Sequence, residues 1–379
     1  KMKKICFVIA SRANYGRVKS VVFEFKKSKK YKVQIVLAAS SLLERYGDLR
    51  KTLSSDGLKV DREAFLVVEG ESPLTMTKST GLAIIELSSI FNNLKPDVVV
   101  TVGDRYETIA TAIAASYMNI TLAHIQGGEI TGSIDESVRH AITKLSHIHF
   151  TSTKKSKKNV ISMGEDKRYV FHVGCPSFDL LTKKISKIKI NKDLVGVGAN
   201  IEIEKKFILV VFHPVTTEYG QSYNQTEKII KAIDKFKNQT IWLWPNIDAG
   251  SDGISKSIRK NREKGKLKNV LFIKNLQVEN YNFLLKNASC LVGNSSSFLR
   301  EASFFGTPTV LVGNRQEKRE MGKNVVKSSF NESEILNKIK SQYNKRYKKS
   351  NIYGDGRAAK RISKILYKLN PNIQKKLTY

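Results

Sequence analysis

Side chains able to move protons or hold anions gather at a few points of the chain, each directly after an apolar run. Gly103-Asp104-Arg105-Tyr106-Glu107 follows one such run, and His124-Ile125-Gln126-Gly127-Gly128-Glu129 closes the next. A helical stretch then opens with Ile134-Asp135-Glu136-Ser137-Val138-Arg139-His140. Taken singly, these have plain explanations. An Asp-Arg pair at a strand end caps a helix and forms a salt bridge, and acids in a first helical turn balance the macrodipole. Arg139, four residues after Asp135, would form an ion pair on one helix face. Taken together they say more. Two successive strand ends bring three carboxylates (Asp104, Glu129, Asp135) and two arginines (Arg105, Arg139) toward one place, as acid–base chemistry on an anionic ligand requires. Gly127 and Gly128 let the backbone turn sharply and approach that ligand.

The second half carries groups suited to phosphate. His213-Pro214-Val215-Thr216-Thr217 and Trp244-Pro245-Asn246-Ile247-Asp248 each follow an apolar run. Gly293-Asn294-Ser295-Ser296-Ser297-Phe298 leads into Leu299-Arg300-Glu301-Ala302. Glycine, then hydroxyl residues, then a helix start offers N–H groups, hydroxyls and a dipole to a diphosphate. N-capping alone explains one serine but not three. Glu301, expected one to two turns into the helix, could accept both hydroxyls of a ribose; otherwise it is a solvated helix glutamate. Near the start of the chain, Arg12 in Ser11-Arg12-Ala13-Asn14-Tyr15-Gly16 could hold a phosphate before a helix. The six histidines are scattered without paired-ligand spacing, so no metal site is expected.

The elements that must position these residues follow from hydrophobic pattern. Continuous apolar runs at 5–10, 33–38, 64–68, 97–102, 121–125, 148–151 and 170–173 predict strands covered on both faces. Helices are predicted over 17–27, 75–93, 107–117, 135–146 and 154–163. After a Lys-, Gly- and Asn-bearing stretch at 180–206, strands are predicted at 207–212, 240–244, 270–273, 290–292 and 309–312, with a last helix over 357–369. The alternation predicts an α/β protein of two Rossmann-like, doubly wound domains. We expect residues 1–182 to form the acid–base domain and 183–356 a nucleotide-binding domain, with 357–379 packing back on the first. Ligands of such folds lie in the cleft at the carboxyl ends of the strands.

Bulk composition narrows the classes. The 379 residues hold 66 Lys+Arg against 34 Asp+Glu, a formal net charge of +32. Lysines are spread over nearly every predicted helix, and the cluster at 154–158 has no alternating aromatics. The charge therefore reads as a solvated surface that draws in phosphate-bearing substrates, not as a specific nucleic-acid site. No stretch of eighteen apolar residues predicts a membrane span, and residues 1–10 lack the layout of a signal peptide. Cys6, Cys175 and Cys290 lie in or beside apolar runs and read as buried free thiols, which places the protein in the cytoplasm.

Read in order, Gly103-Asp104-Arg105, His124-Ile125-Gln126-Gly127-Gly128-Glu129, the run from Ile134 to Leu145, Gly174-Cys175-Pro176-Ser177 and Gly293-Asn294-Ser295-Ser296 resemble the hydrolysing UDP-N-acetylglucosamine 2-epimerases. That family includes enzymes of sialic- and legionaminic-acid pathways. The resemblance implies a glycosyltransferase-B-like pair of domains, no metal or other cofactor, a nucleotide-sugar substrate and a homo-oligomer, dimer or tetramer. It implies acid–base roles for Asp104, Glu129 and Asp135, with Arg105 and Arg139 near the substrate. It implies nucleotide and diphosphate contacts from Arg12, His213, Asn246, Asn294, Ser295, Ser296, Glu301 and Arg315. The implied reaction converts UDP-N-acetylglucosamine to N-acetylmannosamine and UDP through a 2-acetamidoglucal. Asn14 stands where many members have aspartate, and Ser41 where many have histidine. Both positions are expected on the sugar side, so they bear on the sugar's identity. A UDP- or GDP-linked diacetamido-trideoxy sugar is the alternative substrate. A non-hydrolysing epimerase, a glycosyltransferase on the same fold, and a non-catalytic nucleic-acid-binding protein are the rival readings.

Overall fold

The computed structural model describes residues 2–46, 48–70, 72–131, 134–181, 194–245, 248–274 and 276–378. Seven parallel strands form the first sheet: β1 (Lys3–Ile9), β2 (Tyr31–Ala38), β3 (Arg62–Ala64), β4 (Val98–Val102), β5 (Thr121–Ile125), β6 (Ile148–Thr151) and β7 (Val170–His172). Their order is β3-β2-β1-β4-β5-β6-β7. Helices α1 (Arg12–Lys26), α2 (Arg50–Ser55), α3 (Pro73–Leu94), α4 (Tyr106–Tyr117), α5 (Ile134–Leu145) and α6 (Lys154–Ser162) supply the crossovers. The unbroken apolar character of β1, β4 and β5 has its cause here. One core, with Ile5, Phe7 and Val100, packs on one face of the sheet; another, with Cys6, Val99 and Leu122, packs on the other.

The second sheet is built the same way. It contains β8 (Val197–Gly198), β9 (Ile208–Val211), β10 (Thr240–Leu243), β11 (Val270–Ile273), β12 (Cys290–Gly293), β13 (Thr309–Val312) and β14 (Val325–Ser328). The order is β14-β13-β12-β9-β10-β11-β8, and only the two-residue β8 runs antiparallel. Helices α7 (Ser222–Phe236), α8 (Ser251–Glu263), α9 (Val278–Asn287), α10 (Glu301–Phe305) and α11 (Glu332–Gln342) cover its faces. The final helix, α12 (Ala358–Lys368), returns to the first domain, where Ala359, Ile362 and Leu366 join the core of β1. Asp179 receives the first backbone N–H groups of that helix, from Ala358 at 2.9 Å and Ala359 at 2.7 Å. The expected domain junction at 182/183 lies outside the described residues.

Three local differences from the sequence reading have physical causes. Helix α1 begins at Arg12, not at 17, because Ser11 caps it by accepting the Asn14 N–H at 3.1 Å. Gly16 lies inside the helix, and a Cβ there would stand 3.3 Å from Val278 of the second domain. The third strand falls at Arg62–Ala64 instead of 64–68, on the sheet edge, where charged residues tolerate exposure. Strands β8 and β14 were not expected. Both are edge strands with exposed or half-exposed residues, so neither carries an apolar run. Cys6, Cys175 and Cys290 are buried free thiols.

In each sheet the strand order reverses at one place, between β1 and β4 in the first and between β12 and β9 in the second. Crossovers leave the sheet in opposite directions there and open a crevice at the carboxyl ends. The segments after β1 and β4 carry Arg12, Asn14, Asp104 and Arg105. Those after β9 and β12 carry His213, Asn294, Ser295 and Ser296. The topology alone brings the expected residues to facing crevices.

Candidate active site

The two crevices meet in a cleft with two adjoining cavities. Asp104, Arg105, Asp135, His213, Asp248 and Arg315 line the one on the acid side. Arg12, Trp244, Tyr281, Ser295, Ser297 and Glu301 line the other, and Arg105, His213 and Ser296 face both. Among the described residues, none of the helices is long and apolar enough to cross a membrane.

Asp104 follows β4 through Gly103, whose φ of +87° suits glycine; a Cβ there would stand 2.9 Å from the Arg17 guanidinium. The Asp104 carboxylate accepts from Arg139, which also donates to the Glu129 carbonyl. Burial would push the Asp104 carboxyl up, but Arg139, Arg17 and Arg319 outweigh it and hold it well below the usual carboxylate range. Asp135 behaves oppositely. Burial raises it, the charge of Asp104 raises it further, and Arg315, at 3.5 Å, only partly offsets them. The expected ion pair between Asp135 and Arg139 is therefore not the contact that forms. Arg139 turns inward to Asp104, and Asp135 pairs across the cleft. Two neighbouring carboxyl groups thus titrate far apart, the usual sign of divided roles.

Glu129 lies deeper than the sequence suggested. Only 4% exposed, it lines neither cleft cavity and sits between Arg319 at 3.0 Å and Arg300 at 3.3 Å. Burial opposes its ionisation, yet Arg319, Arg300, Arg139 and Arg17 hold its carboxyl below the ordinary value. Three of those arginines were missed. Arg17 opens a predicted helix, Arg300 stands in the lead into another and Arg319 lies in a turn, positions where arginine usually faces water. Asp248 was also missed as a site residue; it holds Arg105 at 2.6 Å.

On the phosphate side, Ser296 Oγ accepts from Arg17 at 3.2 Å and Arg300 at 2.7 Å. Burial and Arg315 push His213 down to about 3, so its imidazole is neutral. Its Nδ1 is buried without a partner among the described residues. Arg12 donates to the Lys274 carbonyl at 2.8 Å, tying the first domain to the second. Arg315 donates to the Asn294 carbonyl at 3.3 Å. Asn246 lies outside the described residues.

Two expected ligand contacts turn out differently. Asn294 lines neither cavity, because its carboxamide is spent on the backbone of His213: Oδ1 accepts its N–H and Nδ2 donates to its carbonyl, both at 2.8 Å. It clamps the β9 and β12 ends together at the switch point. Glu301 is the first residue of the five-residue α10, not one to two turns into a longer helix, because the serine run forms a separate 3-10 turn, Ser296–Phe298. Its Oε1 accepts from Ser177 of the first domain at 2.5 Å, while Oε2 is buried without a partner among the described residues.

The two sugar-side positions also separate. Asn14 lines the Asp104–Asp135 cavity; its Nδ2 donates to the Val102 carbonyl at 3.1 Å and its Oδ1 stays unpartnered among the described residues. Ser41 does not face the sugar side as expected. It is fully buried, and its hydroxyl is held by the Ala38 carbonyl at 2.7 Å and N–H at 3.1 Å.

Comparison with known proteins bears on the family and the fold. Residues 24–367 match the family described as UDP-N-acetylglucosamine 2-epimerase. The chain is 33% identical over 367 residues to a protein of Legionella pneumophila named UDP-N,N'-diacetylbacillosamine 2-epimerase (hydrolyzing), covering 96% of each. It is 31% identical over 344 residues to the Campylobacter jejuni GDP/UDP-N,N'-diacetylbacillosamine 2-epimerase (hydrolyzing), covering 90% of this chain and 88% of the relative. The crystal structure of Neisseria meningitidis UDP-GlcNAc 2-epimerase bound to UDP-GlcNAc superposes with a TM-score of 0.78 at 21% identity, over 97% of this chain and 100% of that one. The two Rossmann-like domains described above form a glycosyltransferase-B-like fold, consistent with this superposition. With 33% identity along nearly the whole chain and a family match from residue 24 to 367, the chain belongs to the UDP-N-acetylglucosamine 2-epimerase family.

Proposed function

We propose that this chain is a hydrolysing 2-epimerase of a UDP-linked N-acetylated amino sugar. The observation that carries this reading is the pair Asp104 and Asp135, driven apart in acidity at the mouth of an arginine- and serine-lined anion site. The C2 proton of a hexosamine becomes acidic only as the C1–O bond breaks. Arg105 and Arg315, with the Ser295–Ser296 turn, would hold the diphosphate as it departs with the bonding pair. The fixed negative charge of Asp104 would stabilise the positive charge growing at C1. Asp135, whose raised pKa makes it the stronger base, would take the C2 proton, and that C–H pair becomes the C1–C2 double bond. Water then adds its hydroxyl to C1 while a proton returns to the opposite face of C2. Two substrates fit: UDP-N-acetylglucosamine, and the diacetamido-trideoxy sugar in the names of the Legionella and Campylobacter relatives.

Run in deuterium oxide without any acceptor, the reaction should release one UDP per free sugar, with deuterium at C2 and inverted configuration there. Mass spectrometry and NMR of the released sugar check this. Free sugar that keeps its C2 proton and configuration would point to simple hydrolysis and sink the reading. A sugar that exchanges at C2 but stays on the nucleotide would replace it with the non-hydrolysing reaction.

Nucleotide recognition has a separate test. Glu301 lines the nucleotide cavity; Ser177 holds its Oε1 from across the domain boundary, and its Oε2 has no partner among the described residues. A hydrogen bond to a charged group contributes about 1.5–3 kcal/mol. Ser177→Ala is therefore expected to weaken UDP binding by roughly tenfold in calorimetry, and Ser177→Thr to restore most of it. Unchanged UDP affinity in the alanine variant would remove Glu301 from nucleotide recognition.

A further inference from the structure

A third cavity, of about 330 Å³, opens beside the acid-side one. Leu43, Tyr46, Val67, Val68, Met76 and Tyr106 form its walls. Met76 and Tyr106 also line the Asp104–Asp135 cavity, and Tyr46 the nucleotide cavity, so it borders both the carboxylates and the nucleotide. The small hydroxyls in its wall are already spent. Ser79 accepts the Val68 N–H at 2.9 Å and donates to the Thr75 carbonyl at 2.8 Å, and Thr75 in turn donates to the Ser72 carbonyl at 3.1 Å. The charged residues at its rim are the exposed Glu44 and Glu69, and among the described residues no lysine or arginine lines it.

Such a cavity repels phosphate, and a hydroxymethyl group seated against its apolar walls would lose water at a cost that a methyl group does not bear. It suits a neutral substituent with an apolar body, such as a methyl or acyl group, and a lone N–H donor that the rim carboxylates can accept. We infer that it is the subsite for the far edge of the sugar ring, and that it selects a 4-acylamino-6-deoxy amino sugar over one with free 4- and 6-hydroxyls. This rests on the reading of the cleft as a nucleotide-sugar site. It decides between the two substrates that reading allows.

Binding tests the subsite without requiring turnover. The full chain is titrated calorimetrically with UDP, UDP-N-acetylglucosamine and a UDP-linked 2,4-diacetamido-2,4,6-trideoxyhexose. One apolar group seated in a matching pocket discriminates by roughly 10–200-fold. The trideoxy sugar should therefore bind about tenfold or more tighter than UDP-N-acetylglucosamine, with one site per chain. Met76→Gln and Val67→Thr keep side-chain size but make the wall polar; each should shrink that ratio to a few-fold while UDP itself binds as before. Equal affinity for both sugars in the unaltered chain would overturn the subsite. So would a loss shared alike by both sugars and UDP in both variants, or a second nucleotide sugar per chain. Discrimination in binding with no release of UDP from either sugar would leave the subsite standing and remove the hydrolytic reading instead. Release of UDP from both sugars with equal affinity would do the reverse.

Discussion

Asp135→Asn is expected to lower turnover by about 10²–10⁴-fold, the contribution of a positioned acid or base, while UDP binds and the fold persists. The reason lies in what surrounds it. Asp135 is partly exposed, and its ion pair is with Arg315 at 3.5 Å, a residue that also donates to the Asn294 carbonyl. Removing the charge leaves no fully buried arginine without a partner, so stability should change little. A pH profile adds a second check. Asp135 must be ionised to take a proton, and its pKa is raised by burial and by Asp104. Activity should therefore fall as pH drops through a value higher than that of an ordinary aspartate. Asp104→Asn should behave differently, losing turnover and stability together, because Arg139, 1% exposed, would lose its counter-charge. UDP release under steady state, with calorimetry of UDP, separates these cases. Near-normal turnover of Asp135→Asn would move proton transfer to another group.

What the sequence made legible follows from how each feature is encoded. The interior strands β4, β5, β6, β11 and β13 are buried on both faces and mostly apolar, so their runs locate them to within a residue. The polar residues directly after them had nowhere to go but the carboxyl edge. Edge strands carry no such run, and β8 and β14 stayed invisible. At the site, Asp104, Asp135 and Arg139 were legible because two strand ends deliver them together. Arg300 and Arg319 were not. An arginine earns burial only from a partner brought by tertiary structure, here Glu129 from 190 residues before Arg319. Asn294 shows the opposite error. Its place after β12 was right, but the chain spends its amide on the neighbouring strand end before any ligand could use it.

Glu129→Gln should be the costliest change for stability, about 3–5 kcal/mol, the usual effect of breaking a buried ion pair from one side. Four guanidiniums, those of Arg17, Arg139, Arg300 and Arg319, surround Glu129, which shares the task of balancing them with Asp104, Glu301 and Asp135. Arg319 is already strained by burial, which lowers it to about 10 and leaves Nε and Nη1 unpartnered among the described residues. The loss should depend on pH in a defined direction. The folded pKa of Glu129 is depressed, so its stabilisation is fully present above the unfolded value of about 4.3 and disappears as pH falls through the folded one. Urea unfolding at neutral pH should show the full gap between the two proteins, and the gap should narrow steadily in acid. A gap that stays constant with pH would mean that Glu129 stabilises by shape and not by charge. The same variant also weighs its expected acid–base role. If Glu129 serves only to hold Arg300 and Arg319 in place, the surplus positive charge should leave UDP binding undiminished, and saturating UDP should restore part of the lost stability by mass action. Turnover measured at that UDP-stabilised temperature would then fall far less than in Asp135→Asn. A loss as large as that of Asp135→Asn would return Glu129 to the proton-transfer chemistry itself.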